Sequence, residues 1–261
     1  MTILKYELRR GRAAFWIWTG AVGFLLAVCV FLYPEMKGEM ESVGDIFASM
    51  GSFTAAFGMD RLNFGTLLGY YAIECGNVLG LGGAFYAALT AASALCKEER
   101  DRTADFLLTH PVTRVRVLWE KLGAVALQIT ALNGIIFALS VGSMAAIGEP
   151  IPWKELGLLH LAYYLLQLEL AGILFGVSAA LRRGGSAVGL GVAAGFYALN
   201  LIANLTDSAA FLKWITPYGY CDGASIVNDA TLAWPKLAVG AAFCAAGILF
   251  ARRYYPKKDI Q

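Results

Sequence analysis

The residues best placed to do chemistry are four polar side chains that stand inside long apolar stretches. Glu74 and Asn77 are three residues apart in one stretch, and Gln167 and Glu169 are two apart in another. Ionisable groups are costly in lipid, so we expect these four to line a substrate pathway or to join helices in a polar network. A wetted position near the membrane boundary is the alternative for Glu74. On a helix the first pair shares one face, whereas the second pair points about 200° apart.

Catalytic and metal-binding motifs are absent from the sequence. It has no G-x-x-x-x-G-K-[ST] loop for nucleotide phosphates, no H-E-x-x-H zinc motif and no G-x-S-x-G nucleophile elbow. The two histidines and five cysteines show no paired short spacing. We therefore predict no catalytic residue, no metal site and no cofactor bound by this chain.

A polar connection at residues 97–117 combines charged and apolar side chains. It holds, in order, the charged residues Glu99, Asp101 and Arg102, the apolar residues Phe106, Leu107 and Leu108, and then Pro111 and Arg114. Thr103 is a good N-cap, and Pro111 ends the helix that begins there. The pattern predicts a short helix lying across the membrane surface. Such a helix either docks a partner protein or rests on lipid headgroups.

The elements that must position these residues are membrane-spanning helices. The chain has 261 residues, of which 58% are hydrophobic and only 15% charged, and its mean hydropathy is +0.60. A soluble domain carries about 25% charged residues, whereas apolar stretches of about 20 residues match a bilayer. We predict an all-α polytopic membrane protein, a single domain over 1–261. Its six spans are expected at about 13–33, 66–96, 118–147, 157–181, 186–205 and 232–251.

The distribution of basic residues predicts the orientation of these spans. With the N-terminus in the cytoplasm, 16 lysines and arginines fall on the inside and 5 on the outside, out of 21. Cytoplasmic loops carry such an excess, so we expect both termini and the 97–117 segment in the cytoplasm. The formal net charge of only +2 argues against nucleic acid as a partner.

Three further segments are expected outside the simple spans. Residues 1–12 are predicted to form a cytoplasmic interfacial helix, and residues 43–59 an interfacial helix on the outer surface. Residues 206–231 mix aromatic residues with Pro217 and Gly219. This segment is predicted to be either an extracellular loop or a re-entrant segment, which requires its backbone to be satisfied by protein or water.

The stretch from Glu99 to Arg114, followed by Lys121, resembles the signature loop of ABC-2 type transporter permeases. That loop commonly reads as a glutamate and a basic residue, a glycine-threonine pair, a leucine-rich helix, Pro-[Val/Ile]-[Ser/Thr]-Arg and a later lysine. Arg102 departs from it, because glycine is usual at that place, so the helix may start differently. The stretch Phe211–Tyr218 is similar to the family's element before the last span.

The resemblance implies a transmembrane permease subunit of an ABC exporter, without ATP hydrolysis of its own. A separate cytoplasmic ATPase, in two copies, would hold ATP and Mg²⁺ and seat the coupling helix in a groove. A second permease chain would complete the transporter as a homodimer or a paralogous heterodimer in the lipids of a bacterial cell membrane. The substrate would be a peptide, a drug or a lipid-like molecule. The alternative from another class is a stand-alone secondary transporter or channel.

Overall fold

The computed structural model describes residues 2–38, 51–57, 59–102 and 112–258. Ten α-helices occur in these ranges: α1 (Thr2–Met36), α2 (Ser52–Ala56), α3 (Leu67–Cys75), α4 (Gly83–Ser93), α5 (Lys97–Arg100), α6 (Arg114–Ala146), α7 (Trp153–Ala180), α8 (Gly185–Leu205), α9 (Gly223–Asp229) and α10 (Trp234–Tyr254). A π-helix, Gly76–Gly82, joins α3 to α4. Short 3-10 helices cover Met59–Arg61, Asp207–Trp214, Pro217–Tyr220 and Tyr255–Lys257.

Six helical stretches are long and apolar enough to cross a membrane. They are Ile3–Met36, Leu67–Ser93, Arg114–Ala146, Trp153–Ala180, Gly185–Leu205 and Trp234–Lys257. Each overlaps one of the six predicted spans, and the described residues contain no strand. The prediction of an all-α polytopic membrane protein is therefore confirmed. The first and last described parts of the chain meet at one end of the bundle, where Glu7 pairs with Lys97 and Lys258 with Glu99. We call this end the terminal face and the opposite end the far face.

The first helix is longer than the sequence indicates. The sequence predicts an interfacial helix at residues 1–12 that leads into the first span, and in the structure both form one unbroken helix, α1, from Thr2 to Met36. Gly11 gives the side chain of Gln128 in α6 room to pack against α1. Pro34 lies within the last turn of α1, where the helix continues for two further residues. Of the outer interfacial helix predicted at 43–59, the structure describes residues 51–57 and 59, where the short helix α2 covers Ser52–Ala56.

The hydrogen-bond pattern of the second span changes at its centre from that of an α-helix to that of a π-helix. Between α3 and α4, the π-helix carries Gly76 and Gly80, and the ring of Tyr163 in α7 packs directly on both. A side chain on either glycine would have to displace this ring. π-Helices shift the register of the side chains that follow them and are frequent at functional sites. Here the π-helix lets α7 approach the second span closely.

The seventh and tenth helices also approach each other through small residues. Gly172 packs on Cys244, and Gly176 packs on the backbone of Gly247. Close backbone approach of this kind drives helix association in lipid, where there is no hydrophobic force between helices. As a result α7 is the most central helix, whereas α8 and α10 keep most of their apolar surface exposed.

The segment between α8 and α10 folds back into the bundle. Its 3-10 turn Pro217–Tyr220 is buried, and the hydroxyl of Tyr218 donates to the carbonyl of Gly80 at 3.4 Å. Gly80 stands midway along the stretch Leu67–Ser93. Thr216 begins the turn by accepting from the backbone N–H of Tyr218 and donates to the carbonyl of Phe196 at 2.9 Å. Within the turn, the backbone N–H groups of Gly219 and Cys221 donate to the carbonyls of Thr216 and Tyr218.

Candidate functional site

A group of buried charges lies at the terminal face, where the 97–117 segment leaves the second span. We call it the anchoring cluster, and it consists of Glu7, Lys97, Glu98, Glu99, Lys121 and Lys258. Five of these six residues are buried, with relative exposures of 8% or less, and Lys97 is half-buried. Buried charges are tolerated only when they are paired and hydrogen-bonded. The contacts of the cluster meet this requirement for each ammonium group.

Lys121 is the centre of the cluster. Its Nζ donates to Oε1 of Glu98 at 2.5 Å and to the carbonyl of Ala94 at 2.6 Å, and lies 3.6 Å from Oε1 of Glu7. Glu7 also accepts a hydrogen bond from Lys97. These contacts join α1, the end of the second span, α5 and the start of α6. Lys121, the lysine that follows the signature loop, therefore holds these four elements together.

The second half of the cluster ties the C-terminal end to the same place. Nζ of Lys258 donates to Oε1 of Glu99 at 2.5 Å and to the carbonyl of Leu181 at 2.7 Å. Arg114, the first residue of α6, donates through Nη1 to the carbonyl of Lys258 at 2.6 Å. The two ends of the described part of the 97–117 segment are thus held by the chain that follows α10.

The last described residues before the centre of the segment are Asp101 and Arg102. Hydrogen bonds from Arg100 and then from Arg10 hold the pKa of Asp101 at about 2, so this carboxylate stays charged at neutral pH. Arg102 has a φ of 56°, in the left-handed region that favours glycine. This conformation accounts for the glycine that is usual at this place in the signature loop. Phe106, Leu107, Leu108 and Pro111 lie outside the described residues.

A carboxylate inside the bundle contacts the segment that folds back. Glu169 of α7 is 5% exposed, and its Oε2 accepts a hydrogen bond of 2.8 Å from the hydroxyl of Tyr220. Its carboxylate packs so tightly on Gly240 of α10 that a methyl group there would collide with it. Glu169 therefore joins α7, α10 and the 3-10 turn at one point.

The other three predicted polar residues lie at separate places. Oε1 of Gln167 accepts from Asn133 at 2.7 Å, and its Nε2 donates to the carbonyl of Leu79 in the π-helix at 3.4 Å. Glu74 accepts from the thiol of Cys29 in α1 at 3.7 Å. Asn77 instead lines a cavity on the side of α8. The shared face expected for Glu74 and Asn77 is not observed, because the π-helix begins between them. Gln167 and Glu169 do point to different helices, as their spacing predicts.

The cavity lined by Asn77 has a volume of about 100 Å³ and lies in the half of the bundle toward the far face. Its polar lining includes Tyr197 and Asn200 of α8, Lys213 of the folded-back segment and Lys236 of α10. The ammonium group of Lys236 donates to the carbonyl of Gly219 at 3.2 Å. This space is large enough for several water molecules or for one small polar group.

One buried polar group was not predicted from the sequence. The hydroxyl of Tyr71 donates to Oγ of Ser140 at 2.6 Å and lies 2.9 Å from Nε2 of His160. The side chain of His160 is buried, with a relative exposure of 5%. No motif marks this triad, since its members come from three different spans. Among the described residues, no group of three potential metal ligands is present.

Comparison with protein families identifies the type of protein. Residues 1–218 match the model of the ABC-2 family transporter proteins. The chain belongs to this family. Together with the six membrane-spanning helices, the match establishes a multi-pass membrane permease of the ABC transporter class, in agreement with the signature loop. No curated protein matches the chain. In this ABC-2 permease, the anchoring cluster lies where the 97–117 segment joins the bundle, and this segment is the one that resembles the signature loop of the family.

Proposed function

We propose that this ABC-2 permease forms the substrate pathway of an exporter and takes its energy from a separate cytoplasmic ATPase docked on the 97–117 segment. The observation that carries the proposal is the anchoring cluster. A loop that only rested on lipid headgroups would have no need for five buried charges at its root. A loop that transmits force to the bundle would need rigid attachment at both ends.

The cluster provides that attachment through several helices at once. Glu98 and Glu99 lie in α5, directly before the segment, and Arg114 begins α6 directly after it. Their partners belong to α6 and to the chain beyond α10. Glu7 adds α1 to the cluster, because it pairs with Lys97 and with Lys121. A displacement of the segment would therefore move four elements together. Apolar contacts from Phe106, Leu107 and Leu108 would give affinity for the ATPase, while Asp101 and Arg102 would set its orientation.

The remaining elements of the proposal follow from this arrangement. The terminal face lies in the cytoplasm, as its basic residues favour. ATP and Mg²⁺ are bound by two copies of the ATPase, whose closure brings two coupling segments together. A second permease chain, identical or paralogous, completes the pathway. A peptide, a drug or a lipid-like molecule is the exported substrate.

Within the permease, Glu169 and Gln167 are proposed as the residues that couple helix motion to the pathway. Glu169 links α7, α10 and the folded-back turn, and Gln167 links α6 and α7 to the π-helix. A change in the packing of α7 would therefore reach all three. Asn77 and Glu74 are proposed to face the pathway toward the far face.

Co-purification with the ATPase tests the proposal. We expect Phe106→Asp combined with Leu107→Asp to abolish stoichiometric recovery of the ATPase with the tagged permease. The matched control is Phe211→Asp with Trp214→Asp, since both residues are exposed apolar side chains outside the 97–117 segment. The control should retain the ATPase. Full recovery with the first variant, or equal loss with both, would refute the docking assignment.

A further inference from the structure

An apolar groove with a basic rim runs between α7 and α10 at the terminal face. It consists of two adjoining hollows of about 470 and 890 Å³ that share Ala180 and Phe250. Val177, Phe243 and Gly247 line the smaller hollow, which Phe196 of α8 and Ile215 of the folded-back segment also border. Because the two hollows adjoin at these shared residues, the groove has room for one extended apolar chain. We call it the α7–α10 groove.

Its length corresponds to one leaflet of a bilayer. From Phe243 to Tyr254, α10 rises by about 16 Å at 1.5 Å per residue. Half of the hydrocarbon core of a membrane is about 15 Å thick. The ring of Tyr254 stacks on Phe250 at 5.3 Å between centroids, at the end where an amphipathic ring suits the membrane interface.

The rim of the groove is positively charged. Arg182, Arg253 and Lys257 line the hollow at its terminal end and are exposed. None of the three forms an ion pair with a described residue, and no acidic side chain of the described part lines either hollow. Lys258 also borders the hollow, but its ammonium is bound to Glu99 and to the carbonyl of Leu181. Three cations at the end of an acyl-sized groove would suit the headgroup of an anionic lipid.

We propose that the α7–α10 groove binds an anionic phospholipid of the membrane leaflet at the terminal face. Its acyl chain would lie along Phe243, Gly247 and Phe250, and its phosphate would contact Arg182, Arg253 and Lys257. A second copy of the chain fits less well. In a symmetric pair formed about α10, the same basic residues would face one another and repel. The proposal stands independently of the ATPase.

The sequence supplies a matched control for the test. Arg183 and Arg252 each adjoin a rim arginine, are exposed and form no ion pair with described residues, but neither lines the groove. The double variants R182Q/R253Q and R183Q/R252Q therefore remove the same charge from the same two segments. The full chain in detergent is titrated with phosphatidylglycerol, and with phosphatidylcholine of the same acyl chains, while its melting temperature is followed.

We expect phosphatidylglycerol to raise the melting temperature of the unmodified chain and of R183Q/R252Q at similar concentrations. R182Q/R253Q should require at least about tenfold more lipid for half of the effect. Ala180→Trp fills the exposed junction of the two hollows, leaves every charge in place and should weaken the response similarly. This variant keeps the test valid if the charge variant is unstable.

Four results would overturn the proposal. Phosphatidylcholine could raise the melting temperature at the same concentrations as phosphatidylglycerol, or both double arginine variants could lose the response to phosphatidylglycerol equally. Inorganic phosphate alone could reproduce the effect at matched ionic strength. Finally, R182Q/R253Q could change the oligomeric mass without changing the lipid response, which would assign the groove to a second copy.

Discussion

Two lysines stabilise the root of the 97–117 segment. Lys121 is 1% exposed and pairs with Glu98, while Lys258 is 8% exposed and pairs with Glu99. Each ammonium also donates to a backbone carbonyl, of Ala94 or of Leu181. Such pairs add little net stability compared with apolar residues, but the loss of one partner leaves the other charge buried and unpaired.

The first prediction concerns Lys121→Met. It should lower the free energy of unfolding by about 3 kcal/mol or more, because Glu98 then remains buried without its partner. The double variant Lys121→Met with Glu98→Gln should recover part of this loss. Denaturant unfolding in micelles measures both. Arg116→Gln breaks the exposed pair with Glu120 on the same helix and should cost less than about 1 kcal/mol. Equal losses at Lys121 and Arg116 would contradict the burial of the cluster.

The second prediction concerns the backbone at Arg102, whose φ is 56°. Arg102→Gly should raise the free energy of unfolding by about 1 kcal/mol, because glycine adopts this conformation without strain. Ala230→Gly, at a φ of 49°, should act in the same direction. Arg252→Gly lies in the last turn of α10 and should lower stability by about 1 kcal/mol. A loss of stability in Arg102→Gly would show that the strain is absent.

At the scale of the elements, the folded-back segment and the π-helix form many of the buried contacts between the spans. The turn Pro217–Tyr220 reaches Gly80 and Glu169, and Thr216 directly before it donates to Phe196, so together they contact three spans. In the π-helix, the carbonyl of Leu79 accepts a hydrogen bond from Gln167, and the ring of Tyr163 packs on Gly76 and Gly80. Both elements contact α7. A displacement of α7 would therefore be transmitted to most helices of the bundle.

The third prediction tests the attachment of the folded-back turn. Tyr220→Phe removes the hydrogen bond to Glu169 and should lower the free energy of unfolding by about 1 to 3 kcal/mol. Tyr197→Phe is the matched control, because this hydroxyl has no hydrogen-bond partner among the described residues. Thermal unfolding in lipid nanodiscs should show a decrease for Tyr220→Phe and little change for Tyr197→Phe. The reverse order would argue against the link between the turn and α7.

The sequence predicts the spans well and their contacts poorly. Long apolar stretches determine helices such as Trp153–Ala180, because only helices satisfy their own backbone in lipid. The resemblance of the signature loop pointed to the family, which the match over residues 1–218 confirms. The partner of Glu169 was not predictable, because Tyr220 lies 51 positions later and meets it only through tertiary folding. The same holds for Glu99 and Lys258, which are 159 positions apart.

The molecule as a whole is a multi-pass membrane permease of the ABC-2 family, and we propose that it transmits motion from a separate ATPase. The anchoring cluster fixes both ends of the 97–117 segment to the terminal face, and α7 links that face to the buried polar contacts of the bundle. A partner that moved the segment would move several helices together. The energy for transport would then come entirely from that partner.

The most direct test is ATP hydrolysis in lipid vesicles that contain the purified chain alone, compared with vesicles that contain the chain together with its co-purified ATPase. We predict no hydrolysis above empty vesicles for the chain alone. The second preparation should hydrolyse ATP, and Phe106→Asp with Leu107→Asp should remove that activity from the purified material. Hydrolysis by the chain alone, or an unchanged activity in the double variant, would contradict the account.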